Sequence, residues 1–326
     1  MDDGRLPMDH RSRLIRFLPV FVVAFAAAAP SAQAPDEKPL FSSQSELVVL
    51  HVAVKDKKGG YVGGLGQDSF RVLEDRRPQE ISFFNSQDAP VTVGMLIDAS
   101  GSMAPNRDMV IAASMAFSKA MNPQDEFFVL GFNEDVHAPL PADKPFTNSE
   151  PTLRVALVQA IKARGQTAIY DALNAGLEYV QKGGFERQVL IVLSDGGDNA
   201  SSTTRAQVIA NAQASNAVVY TIALVDPMDS EADPGFLSQV SESTGGVSFK
   251  PKNATEIEDI LQRVARDIRN MYTIGYVPSE IVSAGRRNES LRRVAVDVKL
   301  PSGQKLAVRT RRAYLAGGAE AYSDAR

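Results

Sequence analysis

Apolar residues recur along the chain with two different periods, and the change between them divides it into three parts. Between residues 91 and 270, apolar runs typical of buried strands alternate with segments of helical spacing. We predict strands at 91–97, 126–132, 188–194, 217–224 and 246–250, with a short edge strand at 137–140. We predict helices at 106–121, 151–163, 168–182, 204–215, 235–243 and 254–270. This alternation implies parallel βαβ units, so an α/β fold with a doubly wound, mostly parallel sheet is expected here.

The segments on either side have a period of two, which is typical of antiparallel strands with one buried face. We predict strands at 46–55, 69–74, 80–84, 271–276, 291–300 and 304–310, with residues 301–303 as a hairpin turn between the last two. Two or three strands are marginal in isolation. We therefore expect the two flanks to pair into a smaller antiparallel β-sandwich, with the α/β region inserted between them.

The N-terminus has the layout of a secretory signal peptide. Arg11, Arg13 and Arg16 precede an apolar stretch at 17–29, and Ala32 and Ala34 offer a small-residue cleavage site. The stretch is shorter than the ~20 residues that a membrane-spanning helix needs. We expect an exported protein, periplasmic or secreted, with no transmembrane span after the signal is removed. An uncleaved anchor is the alternative, because Pro35 is unfavourable for cleavage.

These patterns predict the domain organisation. The expected parts are a signal peptide at 1–34, a linker at 35–45, an N-terminal β segment at 46–88, the α/β domain at 89–270, a C-terminal β segment at 271–315 and a flexible tail at 316–326.

Composition narrows the chemistry. The formal charge of −4 gives no reason to expect a nucleic-acid partner. The chain has no cysteine, which removes thiolate metal sites and cysteine nucleophiles. Its histidines are His10, in the signal segment, and His51 and His137, for which we expect strand-face or surface positions. The chain therefore offers few candidates for a histidine general base.

Five oxygen-bearing side chains lie at or near predicted strand ends. Asp98, Ser100 and Ser102 follow the strand at 91–97, Thr167 lies in a later loop, and Asp195 follows the strand at 188–194. In an open parallel sheet, ligands bind beyond the carboxyl ends of the strands. Oxygen donors of mixed charge suit a hard cation. The sequence therefore predicts a metal site formed by these five residues at one edge of the sheet.

This pattern of Asp-x-Ser-x-Ser, a later Thr and an Asp after the fourth strand resembles the complete metal-ion-dependent adhesion site of von Willebrand factor A domains. The resemblance covers roughly residues 89–270 and implies the strand order 3-2-1-4-5-6, in which the first and fourth strands are neighbours. It implies Mg²⁺ as the ion, with Mn²⁺ or Ca²⁺ as alternatives. It further implies that Asp98 and Asp195 act directly or through water, and that an Asp or Glu carboxylate of a partner protein completes the coordination.

The flanks are also similar to known proteins. The segment 64–75 and the Tyr-x-Ile-Gly-Tyr-x-Pro run at 272–278 resemble the exported von Willebrand A-related proteins abundant in Acidobacteria, a group without a well-defined function. Integrin β chains are similar in carrying an A-like domain inserted into a β-sandwich.

We expect a metal-dependent protein-binding module, used for adhesion or interaction, with no catalytic residues. One alternative is a structural domain whose metal site is unused. The least favoured alternative is a hydrolase or phosphotransferase with Asp98 as nucleophile. That alternative lacks the Asp-x-Asp pattern, because position 100 is Ser, and a Gly-x-Ser-x-Gly elbow is absent because position 98 is Asp.

Overall fold

Fourteen strands and six helices make up the described part of the chain. The computed structural model describes residues 47–161, 165–225, 232–253, 255–279, 290–301 and 303–316, which fall in one compact unit. The strands are β1 (Val48–Lys55), β2 (Phe70–Glu74), β3 (Arg77–Gln79), β4 (Ile81–Asn85), β5 (Val91–Asp98), β6 (Glu126–Phe132), β7 (Val136–His137), β8 (Arg187–Ser194), β9 (Val218–Ala223), β10 (Ser248–Phe249), β11 (Met271–Tyr276), β12 (Ser290–Val298), β13 (Ala307–Arg309) and β14 (Ala313–Ala316). The helices are α1 (Arg107–Ala120), α2 (Glu150–Ala160), α3 (Ile169–Val180), α4 (Arg205–Ala214), α5 (Pro234–Thr244) and α6 (Glu256–Arg269).

The central sheet has six strands in the order β10-β9-β8-β5-β6-β7. β7 runs antiparallel to β6, and the other neighbours are parallel. Counted from β5, this is the order 3-2-1-4-5-6, so β5 and β8 are neighbours. Every residue of β5 is buried, as expected for a parallel strand covered by helices on both faces.

Helix packing completes the α/β layers. α1 packs against α2 and α6, whereas α3 and α5 pack against α4. α6 buries Ile257, Ile260, Leu261, Val264 and Ile268, a spacing that places one apolar stripe against the core. α4 begins with a capping box between Thr204 and Gln207, which satisfies backbone donors at the helix start.

The flanks form a sandwich of two four-stranded sheets. The first flank sheet has the order β13-β1-β11-β4, and the second has the order β14-β12-β2-β3. Their facing side chains form a separate core that includes Leu50, Val52, Phe70, Val72 and Ile274. The other face of the first flank sheet meets the α/β region, because Ala53 and Met271 belong to the central core.

The chain enters and leaves the α/β region at neighbouring points. Arg269, at the end of α6, forms an ion pair of 2.7 Å with Asp88, just before β5. A single residue, Asn270, separates α6 from β11, which pairs antiparallel with β1 and β4. The predicted fold class, a mostly parallel α/β sheet with a smaller antiparallel sandwich, is thereby confirmed.

Two details of the flanks differ from the prediction. The predicted hairpin around residues 301–303 is wrong, because β12 pairs with β2 and β14 whereas β13 crosses to the first flank sheet and pairs with β1. The strand β3 was not predicted; it contains Pro78 and forms the edge of its sheet, where proline is tolerated. The signal at 1–34, the linker at 35–45 and residues 317–326 of the tail lie outside the described residues, and the domain boundaries stay a prediction.

The helices in the described ranges are too short or too polar to span a membrane.

Candidate metal centre

The carboxylate of Asp98 anchors the candidate centre. Asp98 is the last residue of β5 and has no exposed surface. One carboxylate oxygen accepts a 2.8 Å hydrogen bond from the backbone N–H of Ser100, and the other accepts a 2.7 Å bond from the hydroxyl of Ser194. Ser194 is the last residue of the neighbouring strand β8. The carboxylate is therefore fixed from both its own loop and the adjacent strand.

Two serine hydroxyls lead from Asp98 towards Asp195. Ser100 has extended backbone and precedes a 3-10 turn at Gly101–Asn106, and its Oγ lies 3.0 Å from the Oγ of Ser102. The Ser102 hydroxyl donates a 2.9 Å hydrogen bond to the Asp195 carboxylate. Ser100 and Asp195 are buried, whereas Ser102 is exposed. Four of the five predicted residues thus form one hydrogen-bonded chain across the ends of β5 and β8.

A tight turn holds Asp195. The backbone N–H of Gly197 donates to the Asp195 carboxylate over 3.0 Å, and the N–H of Gly196 donates to the Ser194 hydroxyl over 3.0 Å. Gly196 has a φ of +88°, and a Cβ added there would lie 2.5 Å from the carbonyl oxygen of Asp233. The turn therefore requires glycine at position 196, both for its conformation and for space.

Thr167 reaches the same edge through its backbone. Its N–H donates to the side-chain oxygen of Asn199 over 2.8 Å, and its carbonyl accepts from the N–H groups of Asn199 and Ala200. The N–H of Ala168 donates to the carbonyl of Asn133, just beyond β6. The loop before α3 is thereby tied to the loop that follows Asp195.

The loops around Thr167 and Asp195 are braced by two further carboxylates. Asp171, in the first turn of α3, accepts hydrogen bonds from the N–H groups of Ser202 and Thr203. Asp198 accepts from the Ser201 hydroxyl and the Tyr170 N–H. These bonds fix the relative position of the two loops that carry Thr167 and Asp195.

The sequence prediction did not include Ser194 and Asn199. Ser194 is a polar residue at the end of an otherwise apolar run, at the carboxyl end of a strand, and this pattern was the available signal. Asn199 holds Thr167 through a loop–loop contact, for which the local sequence gives no signal.

Electrostatics favour a cation at this place. Burial raises the pKa of Asp98 to about 6, and the charge of Asp195 acts in the same direction, whereas hydrogen bonds from Ser100 and Ser194 oppose the shift. A nearby positive charge would relieve the repulsion between these two carboxylates. In the described residues no group of three or more His, Cys, Asp or Glu side chains could hold a metal ion. The donors gathered here are carboxylate and hydroxyl oxygens, a set that suits Mg²⁺ or Ca²⁺ rather than a soft metal.

Several solved structures are similar in fold to this chain. A von Willebrand factor type A protein from Catenulispora acidiphila is 15% identical, with 86% of this chain and 76% of that chain covered and a TM-score of 0.47. An aerotolerance-related membrane protein from Bacteroides fragilis is 14% identical, with 55% and 98% covered and a TM-score of 0.45. The pilus adhesin SpaC from Lactobacillus rhamnosus GG is 11% identical, with 79% and 49% covered and a TM-score of 0.46. Comparison with curated proteins gave no match.

A family model described as von Willebrand factor type A domain matches residues 93–263. The matched segment runs from β5 into α6 and contains the five candidate metal ligands. Domains of this kind generally mediate protein interactions rather than catalysis. Because the match covers more than half of the 326 residues, this chain belongs to the von Willebrand factor type A domain family.

Proposed function

We propose that the chain is an exported module that binds a partner protein through a divalent cation held by Asp98, Ser100, Ser102, Thr167 and Asp195. The observation that carries the proposal is the hydrogen-bonded chain from Asp98 through the two serines to Asp195. It brings two carboxylates and two hydroxyls from loops far apart in sequence to one edge of the central sheet. The family membership supports a role in protein interaction.

The donor set fits Mg²⁺, with Mn²⁺ or Ca²⁺ as alternatives. It consists of oxygen atoms, and its two carboxylates balance the charge of one divalent ion. When bound, the cation supplies a Lewis-acidic position that a carboxylate of the partner can fill. Asp98 and Asp195 are both buried, so their carboxylates supply negative charge and fixed ligand positions from the protein side of the cation.

The exposed residue Ser102 marks the side from which the partner approaches. An Asp or Glu side chain of the partner is the expected contact, since carboxylate oxygens are ligands that hard divalent cations prefer. Export rests on the signal layout of residues 1–34 and places this interaction in the periplasm or outside the cell.

Thermal unfolding of the purified chain tests the metal part of the proposal. We expect the midpoint temperature of unfolding to rise with Mg²⁺ concentration, because a ligand of the native state stabilises that state by mass action. Excess EDTA should return the midpoint to its value without metal. Asp98→Ala and Asp195→Ala should abolish this dependence. Asp108→Ala is the matched control, since the Asp108 side chain is 96% exposed in the first turn of α1.

The interaction itself is tested by capture from the cell envelope of the source organism. We expect a partner protein that this chain retains in the presence of Mg²⁺ and releases in EDTA. The Asp195→Ala variant should not retain it. If the midpoint temperature of unfolding depends on the metal but partner binding is unchanged by EDTA, the proposal is contradicted. Absence of any metal dependence would favour the alternative of a structural domain with an unused site.

A further inference from the structure

A cavity lies at the opposite end of the central sheet from the candidate metal centre. It has a volume of about 230 Å³ and opens between the α/β region and the first flank sheet. Its walls include the polar side chains of Asn85, Arg187 and Thr273 and the apolar side chains of Phe83, Pro90 and Phe185. Arg187 is the first residue of β8, and the strand runs about 25 Å to Ser194 at the metal edge.

Arg187 is buried but has only neutral hydrogen-bond acceptors. Only 3% of the surface of Arg187 is exposed to solvent. The guanidinium donates to the carbonyls of Ile268 and Met271 and to the hydroxyl of Thr273, at 3.2–3.3 Å. Its Nε–H has no acceptor in the part of the chain that the structure describes. A buried cation with an unused donor is costly unless a counter-ion accompanies it.

The carboxylates nearest to Arg187 are engaged elsewhere. Asp88 and Asp125 both pair with Arg269, at 2.7 Å and 3.0 Å. Within the described residues, no carboxylate approaches the Arg187 guanidinium to within the 4.0 Å of an ion pair. Burial lowers the pKa of Arg187 and the charge of Arg269 acts in the same direction, whereas the charges of Asp88 and Asp125 oppose the shift without reversing it.

Two guanidinium groups act on His51, which contacts Thr273 in the cavity wall. His51 lies on β1, with its Nδ1 3.3 Å from the Thr273 hydroxyl. Burial lowers the pKa of His51 to about 3, and the charges of Arg187 and Arg311 act in the same direction. His51 therefore stays neutral, and the two guanidinium groups keep their positive charge on this side of the cavity.

We propose that this cavity binds a small monocarboxylate with an apolar body, anchored by the guanidinium of Arg187. Asn85 and Thr273 offer further polar contacts, and Phe83, Pro90 and Phe185 enclose the hydrocarbon. The volume of about 230 Å³ is below the ~300–1,000 Å³ of drug-sized pockets, so the ligand is a small molecule. The exposed carboxylate of Glu186 repels a dianion such as phosphate more strongly than a monoanion, and a single guanidinium with apolar walls favours one carboxylate.

Calorimetric titration of the intact chain with cyclohexanecarboxylate tests the proposal. Excess EDTA is present throughout, so that the carboxylate cannot bind through a metal at Asp98 and Asp195. We expect one saturable site and an affinity at least tenfold higher than for cyclohexanecarboxamide, a neutral molecule of nearly the same shape. Equal affinity for the acid and the amide, or no binding of the acid up to about 10 mM, overturns the proposal.

Two variants locate the site. Arg187→Gln removes the charge, and we expect at least tenfold weaker binding of the acid with little change for the amide. Arg293→Gln removes an exposed arginine of the second flank sheet and should leave binding unchanged. Loss of binding in Arg293→Gln, or full binding in a folded Arg187→Gln chain, contradicts the assignment. The comparison of acid and amide in the unaltered chain decides the question even if Arg187→Gln does not fold.

Discussion

The hydroxyl of Ser102 donates a hydrogen bond to the carboxylate of Asp195 over 2.9 Å, although the two residues are 93 positions apart. This bond joins the loop after β5 to the loop after β8 at the sheet edge. Ser102 is the exposed member of the pair and Asp195 the buried one. Metal binding and protein stability therefore depend on this contact to different extents.

Replacing Ser102 by Ala should weaken Mg²⁺ binding while sparing the fold. The exposed hydrogen bond contributes about 1 kcal/mol to the free energy of unfolding, whereas one ligand oxygen is lost from the cation. We expect at least a tenfold rise in the Mg²⁺ concentration needed for half-maximal thermal stabilisation. Ser238→Ala, whose hydroxyl bonds Glu242 at 3.1 Å on α5, is the control. An unchanged Mg²⁺ dependence in Ser102→Ala would remove Ser102 from the ligand set.

Substitution of Gly196 by Ala should damage both stability and the metal centre. The φ of +88° and the 2.5 Å approach to the Asp233 carbonyl force the turn to shift. We expect a loss of about 1–3 kcal/mol in the free energy of unfolding and a weaker response to Mg²⁺, measured by urea denaturation with and without the ion. Gly101→Ala is the matched control, because its Cβ would meet nothing within 4 Å. Equal effects at the two positions would contradict this explanation.

Asp267 links α6 to the flanks, and its neutralisation should destabilise the whole unit. It accepts hydrogen bonds from Tyr61 at 2.6 Å and Tyr220 at 2.5 Å, and it pairs with Arg309 and Lys55. Asp267→Asn leaves Arg309 without its counter-ion. We expect about 3 kcal/mol lower free energy of unfolding in urea. The exposed Asp297→Asn should change it by less than about 0.5 kcal/mol, and similar values for both would show that the network contributes little.

Stability should fall in mild acid because of His51. Its pKa is about 3 in the folded chain against an ordinary 6.5, so the unfolded chain binds the extra proton between these values. The contribution of His51 is complete above pH 6.5 and is lost as the pH falls towards 3, by up to about 1.4 kcal/mol per pH unit. In His51→Gln, urea denaturation between pH 7 and pH 5 should show a smaller slope. Identical slopes for both chains would show that His51 is not the responsible group.

Truncation tests the predicted domain boundaries. A fragment of residues 89–270 should unfold cooperatively, because it contains the whole central sheet and its helices. It should be less stable than the full chain, since Asp267 loses Tyr61 and Arg309. A fragment of residues 46–88 should not fold, because β1 and β4 lack β11 between them. Cooperative unfolding of the shorter fragment would contradict the prediction.

The sequence predicts those parts of the structure that local pattern determines. Asp98 and Asp195 end apolar runs that can only be buried strands, so the position of the candidate centre follows from periodicity and the rules of parallel sheets. The predicted hairpin at 301–303 fails because turn residues indicate a turn but not the partner of the next strand. β13 instead pairs with β1, far away in sequence. The pairing of strands between the flanks depends on tertiary packing, which cannot be predicted from local sequence patterns.

Burial of polar residues was equally difficult to predict. His51 lies in an alternating strand, where one face was expected to meet solvent. That face meets the α/β region instead, so His51, Thr273 and Arg187 are all buried. The sequence pattern indicates that a strand has two faces but does not say that both are covered.

The insertion of the α/β region between β1 and β11 also favours one order of folding. Tyr61 and Asp267 make contact although they are 206 positions apart, so closing the sandwich from an unfolded chain carries a large entropic cost of loop closure. Folding of the α/β region first brings Asp88 and Arg269 together, so the loop to be closed shortens from 206 positions to little more than the 27 between Tyr61 and Asp88. We therefore expect the sandwich to form late, and we expect substitutions that slow folding of the central sheet to delay the pairing of β1 with β11 as well.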